Sequence, residues 1–329
     1  MSVQDIMLTY ISASAATKEL FMPCVAYIKD GKIKGRMFDS FLFLPSPNYL
    51  YNYTKEGHSL KPMQKQNWLS YIHDLEFAPG LNVNALDEAV GETNKALGED
   101  GYKAGVFLSL FRPVESVGEF GEVGGKNLNF SSPEDRIAGI KWFIDEQLSE
   151  FNKRNFKNIY PAGFYWFHES IDFDRDSGML RPILDYIRSL GLKSIWAPYF
   201  KARGYDKAKE NGFDLVAMQG NYFPGNPKFP NAGPLTRLDE LAEIVKSLGI
   251  GVTIELSADN EPGITGVKQY LKYGVERGYM DGYHVYYINS TCKSITGLCH
   301  SEDGYFRGLY DNFHDFFKKT LKVGDIVIK

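Results

Sequence analysis

Eight short runs of apolar, β-branched or aromatic residues punctuate the chain: IMLTYIS (6–12), SFLFLP (40–45), AGVFLSLF (104–111), AGFYWFHE (162–169), SIWAPYF (194–200), LVAMQGNYF (215–223), GVTIELS (251–257) and YHVYYIN (283–289). Most are continuously apolar rather than alternating, the pattern of parallel strands covered on both faces. The segments between them carry helical periodicity instead. In SSPEDRIAGIKWFIDEQLSEF, Ser132 can cap a helix with Pro133 in its first turn and Asp135 three residues on, while Ile137, Ile140, Ile144, Leu148 and Phe151 recur at three or four. TRLDELAEIVKSLG repeats the design, with Leu238, Leu241, Val245 and Leu248 on one face and Gly249 as the stop. RPILDYIRSLG reads as another helix.

Strands alternating with helices over this length predict an α/β fold, a (β/α)8 TIM barrel spanning residues 1–329 as a single domain. A doubly wound open sheet is the alternative. The strand count favours the barrel, and so does the lack of a dinucleotide fingerprint: GEFGEVGGK (118–126) has neither GxGxxG spacing nor a Ser or Thr after its Lys, and reads as a flexible loop. Two departures from simple repetition are expected. FMPCVAYIKDGKIKGRMF, after the first strand, reads as a hairpin turning at Asp30-Gly31 in place of a helix. Between the second and third strands, QKQNWLSYIHDLEF and VNALDEAVGETNKALG read as two helices, and Val114 to Ser132 form a long loop after the third strand, at the mouth where barrels carry function.

Composition narrows the partners. The balance of 37 basic against 41 acidic residues gives a net charge of -4 with no long run of one sign, which argues against nucleic acid. No window has the apolar length of a membrane span, and MSVQDIMLTY lacks a basic stretch followed by an apolar core, so the expected location is cytoplasmic, or secreted or periplasmic where a leader has been removed. Cys292 and Cys299 could close a short disulfide, but their spacing matches no zinc pattern and Cys24 is left over; unpaired thiols are expected. Neither a cofactor nor a metal is expected, and the chain is expected to be a monomer.

The candidate chemistry lies at strand ends. Glu169 closes the fourth run and Glu255 lies near the end of the seventh, between Ile254 and Leu256, where an inward carboxyl requires a partner or a purpose. In a closed barrel the two strands face each other across the mouth. Carboxyls so placed can flank a glycosidic bond, one protonating the leaving oxygen and the other attacking the anomeric carbon or activating water. Arg112 stands near enough in sequence order to pair with Glu169 or to contact substrate. Trp166, His168, Tyr199, Gln219, Asn221, Tyr222, His284 and Tyr286 complete a candidate set for stacking on a sugar ring and bonding its hydroxyls. Superposing SLGLKSIWAPYF on SLGIGVTIELSA sets Ala197 opposite Glu255, so a strand can pass that station without a carboxylate. Ser170 lacks a GxSxG elbow and is not a hydrolase nucleophile.

FDSFLFL, GVFLSLFRP, FGEVGGKNLNF followed by EDRIAGIKWFIDEQL, GFYWFHES and GFDLVAMQGNYF resemble a bacterial family of glycosidase-like barrels, the domain-of-unknown-function family DUF4855, over nearly the whole chain. That resemblance implies the barrel more than any reaction. Glu169 and Glu255 are also similar in station to the acid/base and nucleophile of clan A retaining glycosidases, although His168 stands where that clan has Asn. The expectation is a glycoside hydrolase acting on a poly- or oligosaccharide, with Glu169 as acid/base and Glu255 as nucleophile. A barrel that only binds carbohydrate, or a lyase or phosphate-ester enzyme, stays open as an alternative.

Overall fold

The computed structural model describes residues 3–11, 16–45, 63–224, 233–256, 259–289 and 292–329. Ser12 and Ser257, each the last residue of its apolar run, lie outside them. Strands are numbered in chain order: β1 (Asp5–Ile11), β2 (Ala26–Lys29), β3 (Lys32–Arg36), β4 (Ser40–Pro45), β5 (Ala104–Leu110), β6 (Glu119–Val123), β7 (Lys126–Asn129), β8 (Ile159–Trp166), β9 (Lys193–Trp196), β10 (Leu215–Gln219), β11 (Gly251–Leu256) and β12 (His284–Ile288). The eight apolar runs supply β1, β4, β5, β8, β9, β10, β11 and β12, all parallel, and β1 pairs with both β4 and β12 to close the cylinder. The open-sheet alternative is thereby excluded.

Each barrel strand buries both faces, and the faces go to different places. Ile6, Leu8, Leu42, Leu44, Phe107, Ile195, Leu215, Ala217 and Val285 fill the inside of the cylinder. Their neighbours in sequence, such as Met7, Phe41, Phe43, Val106, Leu108, Val216, Met218, Ile254 and Tyr286, pack outward under the helices. Alternation of side chains along a strand, with apolar surroundings on both sides, explains why the runs look continuous in sequence.

The helices are α1 (Lys18–Val25), α2 (Lys65–Ser70), α3 (Asn82–Leu97), α4 (Pro133–Lys153), α5 (Phe173–Ser189), α6 (Arg237–Leu248), α7 (Glu261–Arg277), α8 (Cys292–Cys299) and α9 (Gly304–Phe317), and α2 runs on as a π-helical stretch, Tyr71–Glu76. Ser132 caps α4 by accepting from the Asp135 N–H at 3.3 Å, and Gly249 ends α6 in the left-handed region at φ 61°. The crossover from β9 to β10 has only a 3-10 turn, Tyr205–Lys207.

Two expectations need correction. Phe21–Val25 belong to α1, so the first crossover keeps its helix and the β2–β3 hairpin is added to it. That hairpin does turn at Asp30 (φ 51°) and Gly31 (φ 69°), the paired left-handed residues that suit strand twist. The stretch read as a flexible glycine loop is a second hairpin, β6–β7, turning at Gly124-Gly125; it is anchored by buried Phe120 and Leu128, and Phe120 stacks on Phe130 at 4.2 Å. Finally, the three thiols are unpaired and buried, as expected, and a Cys292–Cys299 disulfide is ruled out because the pair caps the two ends of α8, about 10 Å apart along the axis at 1.5 Å per residue.

The feature of the barrel that matters most for function lies in β8. Its register against β5 skips one residue, Val106 facing Pro161 and Phe107 facing Gly163. Tyr160 and Ala162 point inward before the skip, and Tyr165 and Phe167 point inward after it, while Phe164 and Trp166 turn outward. This bulge exchanges the two faces of the strand for the residues that follow. Without it, Trp166 and His168 would face the interior and Glu169 would not. Gly163 permits the arrangement, since a Cβ there would collide with the Lys193 carbonyl oxygen of β9. Gly163→Ala is expected to destabilise the protein by about 3 kcal/mol or more, read from urea unfolding, because backbone atoms have to move to admit the methyl group. An unchanged unfolding midpoint would refute this account of the bulge.

Candidate functional site

At the C-terminal mouth of the barrel a cavity of about 240 Å³ is lined by both candidate carboxyls, Glu169 and Glu255, and by Gln219 and Asn221 between them. Leu8, Leu44, Ala197 and Thr253 lie deeper, and Tyr10, Tyr165, Phe167, Phe223 and Tyr287 supply aromatic wall. Tyr10 and Tyr287 meet edge to face at 6.3 Å, as do Tyr165 and Phe167. Acidic and amide groups thus share the cavity with aromatic rings. Ala197 and Glu255, set opposite each other by the shared SLG, do line the same space.

Glu255 is 4% exposed and held by three donors. Its Oε2 accepts from the Asn221 backbone N–H at 2.6 Å and from the Tyr270 hydroxyl at 2.9 Å; its Oε1 accepts more weakly from Asn221 Nδ2 at 3.5 Å. The Tyr222 N–H donates to the Tyr270 oxygen at 3.2 Å, so the phenol proton of Tyr270 is committed to Glu255. Gly220 makes this approach possible, because a Cβ there would strike the Tyr270 hydroxyl. Burial pushes Glu255 up to about 8; the hydrogen bonds from Tyr270 and Asn221 oppose it, and the charge of Glu169 adds to it.

Glu169 lies three residues past the end of β8 and is exposed at the mouth. Protein atoms nonetheless crowd its carboxyl, and this partial desolvation raises it above the ordinary glutamate value, against a hydrogen bond of 2.8 Å from Gln219 Nε2. Water still reaches the group, so the shift carries less free energy than a buried one would. Tyr10 and Tyr165 both feel the charge of Glu169, which is one reason their phenols are raised, after burial itself.

The remaining residues of the predicted set stand elsewhere. Arg112 pairs with Asp176 of α5 at 3.7 Å and not with Glu169. Trp166 faces outward into the layer under the helices, on the far side of the bulge. His168 turns aside, its Nδ1 2.6 Å from the Ser170 carbonyl and its own carbonyl accepting from Trp196 Nε1 at 2.8 Å. Tyr199 is 41% exposed and outside the cavity lining. Tyr222 packs edge to face on Tyr270 at 6.1 Å and donates to Gln269. His284 begins β12, at the opposite end of the barrel, wedged between Asp5 Oδ1 at 3.1 Å and the Tyr279 carbonyl at 2.9 Å; Tyr286 faces outward and donates to Asp5 Oδ1 at 2.7 Å. A strand-end reading takes in both faces and both ends of a strand, and only one face at one end reaches the mouth.

Sequence reasoning passed over Tyr10, Tyr165, Phe167, Phe223, Tyr287 and Tyr270. Tyr165 and Phe167 could have been found by stepping back in twos from Glu169. Tyr287 pairs in register with Glu255, a relation visible only once β11 and β12 are aligned. Tyr270 comes from α7 and carries no local signal. Among the described residues no group of three or more His, Cys, Asp or Glu side chains is placed to hold a metal, and no helix is long and apolar enough to cross a membrane.

The profile of a domain of unknown function, DUF4855, matches residues 5–315. The chain belongs to the DUF4855 family. No curated protein matches this DUF4855 sequence. Among solved structures, it is similar to the catalytic domain of a family GH18 chitinase from the fern Peteris ryukyuensis, at 10% identity and TM-score 0.48, over 94% of this chain and 98% of that one. A GH113 β-1,4-mannanase gives 10% identity and TM-score 0.46 over 95% and 99%. A mutant tryptophan synthase α-subunit from the hyperthermophile Pyrococcus furiosus gives 9% and 0.41 over 96% and 98%. Likenesses this distant, spread over unrelated chemistries, carry no argument about activity.

Proposed function

We propose that this DUF4855 barrel is a glycoside hydrolase acting on a poly- or oligosaccharide by a retaining mechanism, with Glu169 as acid/base and Glu255 as nucleophile. The observation that carries the proposal is that both carboxyls, from the fourth and seventh strands of the barrel, line one cavity with an aromatic wall. Aromatic faces suit the C–H surface of a sugar ring, and the carboxyls suit cleavage at its anomeric carbon.

The two carboxyls differ in ways that separate the roles. Glu255 sits deep, where burial pushes it up to about 8, and both hydrogen bonds on Oε2 come from groups that donate to it and oppose that rise, toward the ionised form a nucleophile needs. Oε1, which Asn221 Nδ2 reaches at 3.5 Å, is the less tightly held oxygen and the one to attack the anomeric carbon. Glu169 stands at the open rim, where a leaving group departs and water enters, the place an acid/base has to occupy. In the first step Glu169 protonates the leaving oxygen as Glu255 forms the glycosyl ester. In the second, Glu169 takes a proton from water, which attacks the anomeric carbon and frees Glu255.

The test is release of reducing ends across a panel of neutral, acidic and amino-sugar glycans. On a responsive glycan, kcat/KM should follow a bell in pH whose alkaline limb lies near the value of about 8 for Glu255, the two limbs belonging to the pair rather than to either residue. Glycan binding with no reducing ends from any member would favour a binding barrel and overturn the hydrolase reading.

A further inference from the structure

Gln219 and Asn221 line the cavity and look, from composition, like sugar-binding amides. Their hydrogen bonds say otherwise. Each amide is oriented by a backbone group: Gln219 Nε2 donates to the Ala197 carbonyl at 2.9 Å, and Asn221 Oδ1 accepts from the Phe200 N–H at 2.8 Å. With those ends set, the second Nε2 proton of Gln219 goes to Glu169 Oε1 at 2.8 Å. The two Nδ2 protons of Asn221 go to Gln219 Oε1 at 3.1 Å and Glu255 Oε1 at 3.5 Å. All side-chain N–H protons of both amides are thereby spent, and a sugar hydroxyl in need of a donor finds none here.

Asn221 also holds an unfavourable backbone conformation, φ 47°, for a residue with a side chain. That conformation lets its backbone N–H and its side-chain Nδ2 reach Glu255 together, while its carbonyl accepts from Arg237 Nη1 at 3.0 Å. We propose that Gln219 and Asn221 are positioning residues, forming a bridge of two amides that donates at both ends and holds the Glu169 and Glu255 carboxyls in place, and that they are not sugar ligands. The catalytic part of this inference rests on the hydrolase reading; the structural part does not.

Donor groups at both ends bring partial positive charge between two like charges, and so favour the ionised form of each carboxyl. Tyr10 from β1 and Tyr165 from β8 also feel the charge of Glu169, Glu255 from β11 repels it, and Tyr287 from β12 meets Tyr10 edge to face in the same cavity; Glu255 in turn faces Tyr270 from α7. The hydrogen bond from Gln219 is what opposes the rise of Glu169, so the loss of that side chain should move Glu169 up.

The experiment uses the full chain, with carboxyl ¹³C NMR titration of Glu169 and Glu255 in wild type, Gln219→Met and Asn221→Gly, alongside kinetics on a responsive glycan. Gln219→Met keeps the length and removes the amide; Asn221→Gly accepts the left-handed backbone and keeps the N–H onto Glu255. In Gln219→Met the Glu169 midpoint should rise by about one pH unit, a tenfold change in its acid constant. On the same variant kcat should fall about tenfold or more with KM within about twofold, since a positioning group acts on the reacting carboxyl and not on ground-state binding. Asn221→Gly should move Glu169 the same way by less, and raise Glu255. An unmoved Glu169 midpoint in Gln219→Met, or a raised KM with unchanged kcat, overturns the bridge. If Gln219→Met does not fold, Asn221→Gly decides by the same midpoint. A wild type that cleaves no glycan sinks the hydrolase reading, and the titrations still decide the bridge.

Discussion

Glu169→Gln and Glu255→Gln should each lower turnover of a responsive glycan by about 10²–10⁴-fold, with the fold intact, because each removes a proton donor or a nucleophile and keeps nearly the same shape. The two losses should differ in kind. An aryl glycoside with an acidic phenol leaves without protonation, so Glu169→Gln should recover much of its first step on such a substrate. Glu255→Gln should recover nothing, since no ester can form without the carboxylate. If both variants keep turnover, the assignment is wrong. If leaving-group acidity rescues Glu255→Gln and not Glu169→Gln, the roles are exchanged.

Glu255→Gln should also stabilise the protein, and more at high pH than at low. In the unfolded chain Glu255 ionises near 4.5, and in the barrel near 8, so folding opposes its ionisation. The cost is absent below the unfolded value, grows as pH rises through the window from 4.5 to 8, and is constant above it. At 1.36 kcal/mol per unit the whole shift amounts to at most about 4–5 kcal/mol, which for a chain of this size is roughly 6 °C in Tm. Gln carries no charge to desolvate. The difference in Tm between the variant and wild type should therefore widen from pH 5 to pH 8. A difference that stays constant or narrows would mean that Tyr270 and Asn221 outweigh burial and hold Glu255 low. Stability given up at a reacting group is a familiar exchange in active sites.

Much of the barrel was legible in the residues. Every barrel strand overlaps its apolar run, with β1, β8 and β9 starting one to three residues ahead of it, because a strand buried on both faces cannot hide its composition. The cap at Ser132, the stop at Gly249 and the Asp30-Gly31 turn were equally readable, since each depends on a few adjacent residues. The glycine stretch at 118–126 misled because glycine frequency marks a turn but not its flanks; the anchoring of Phe120 and Leu128 against distant residues made it a hairpin.

The site was half legible. Glu169, Glu255, Gln219 and Asn221 stand out as polar groups at the ends of apolar runs, and all four line the cavity. Arg112, Trp166, His168, Tyr199, Tyr222, His284 and Tyr286 were grouped with them by proximity to a strand, yet a barrel strand has an inner face, an outer face and two ends. Nearness in sequence does not distinguish these.

Local patterning alone thus determined the strands, most of the helices and the two acidic stations, since hydrophobic period and end signals act over a few residues. The tertiary structure decided which way those stations face. The one-residue skip in β8 turned Glu169 and its aromatic neighbours inward, closure of β1 onto β12 brought Tyr10 beside Tyr287, and packing of α7 delivered Tyr270 to Glu255. Each of these depends on contacts between elements far apart in the chain, whose register and packing no single stretch of residues encodes.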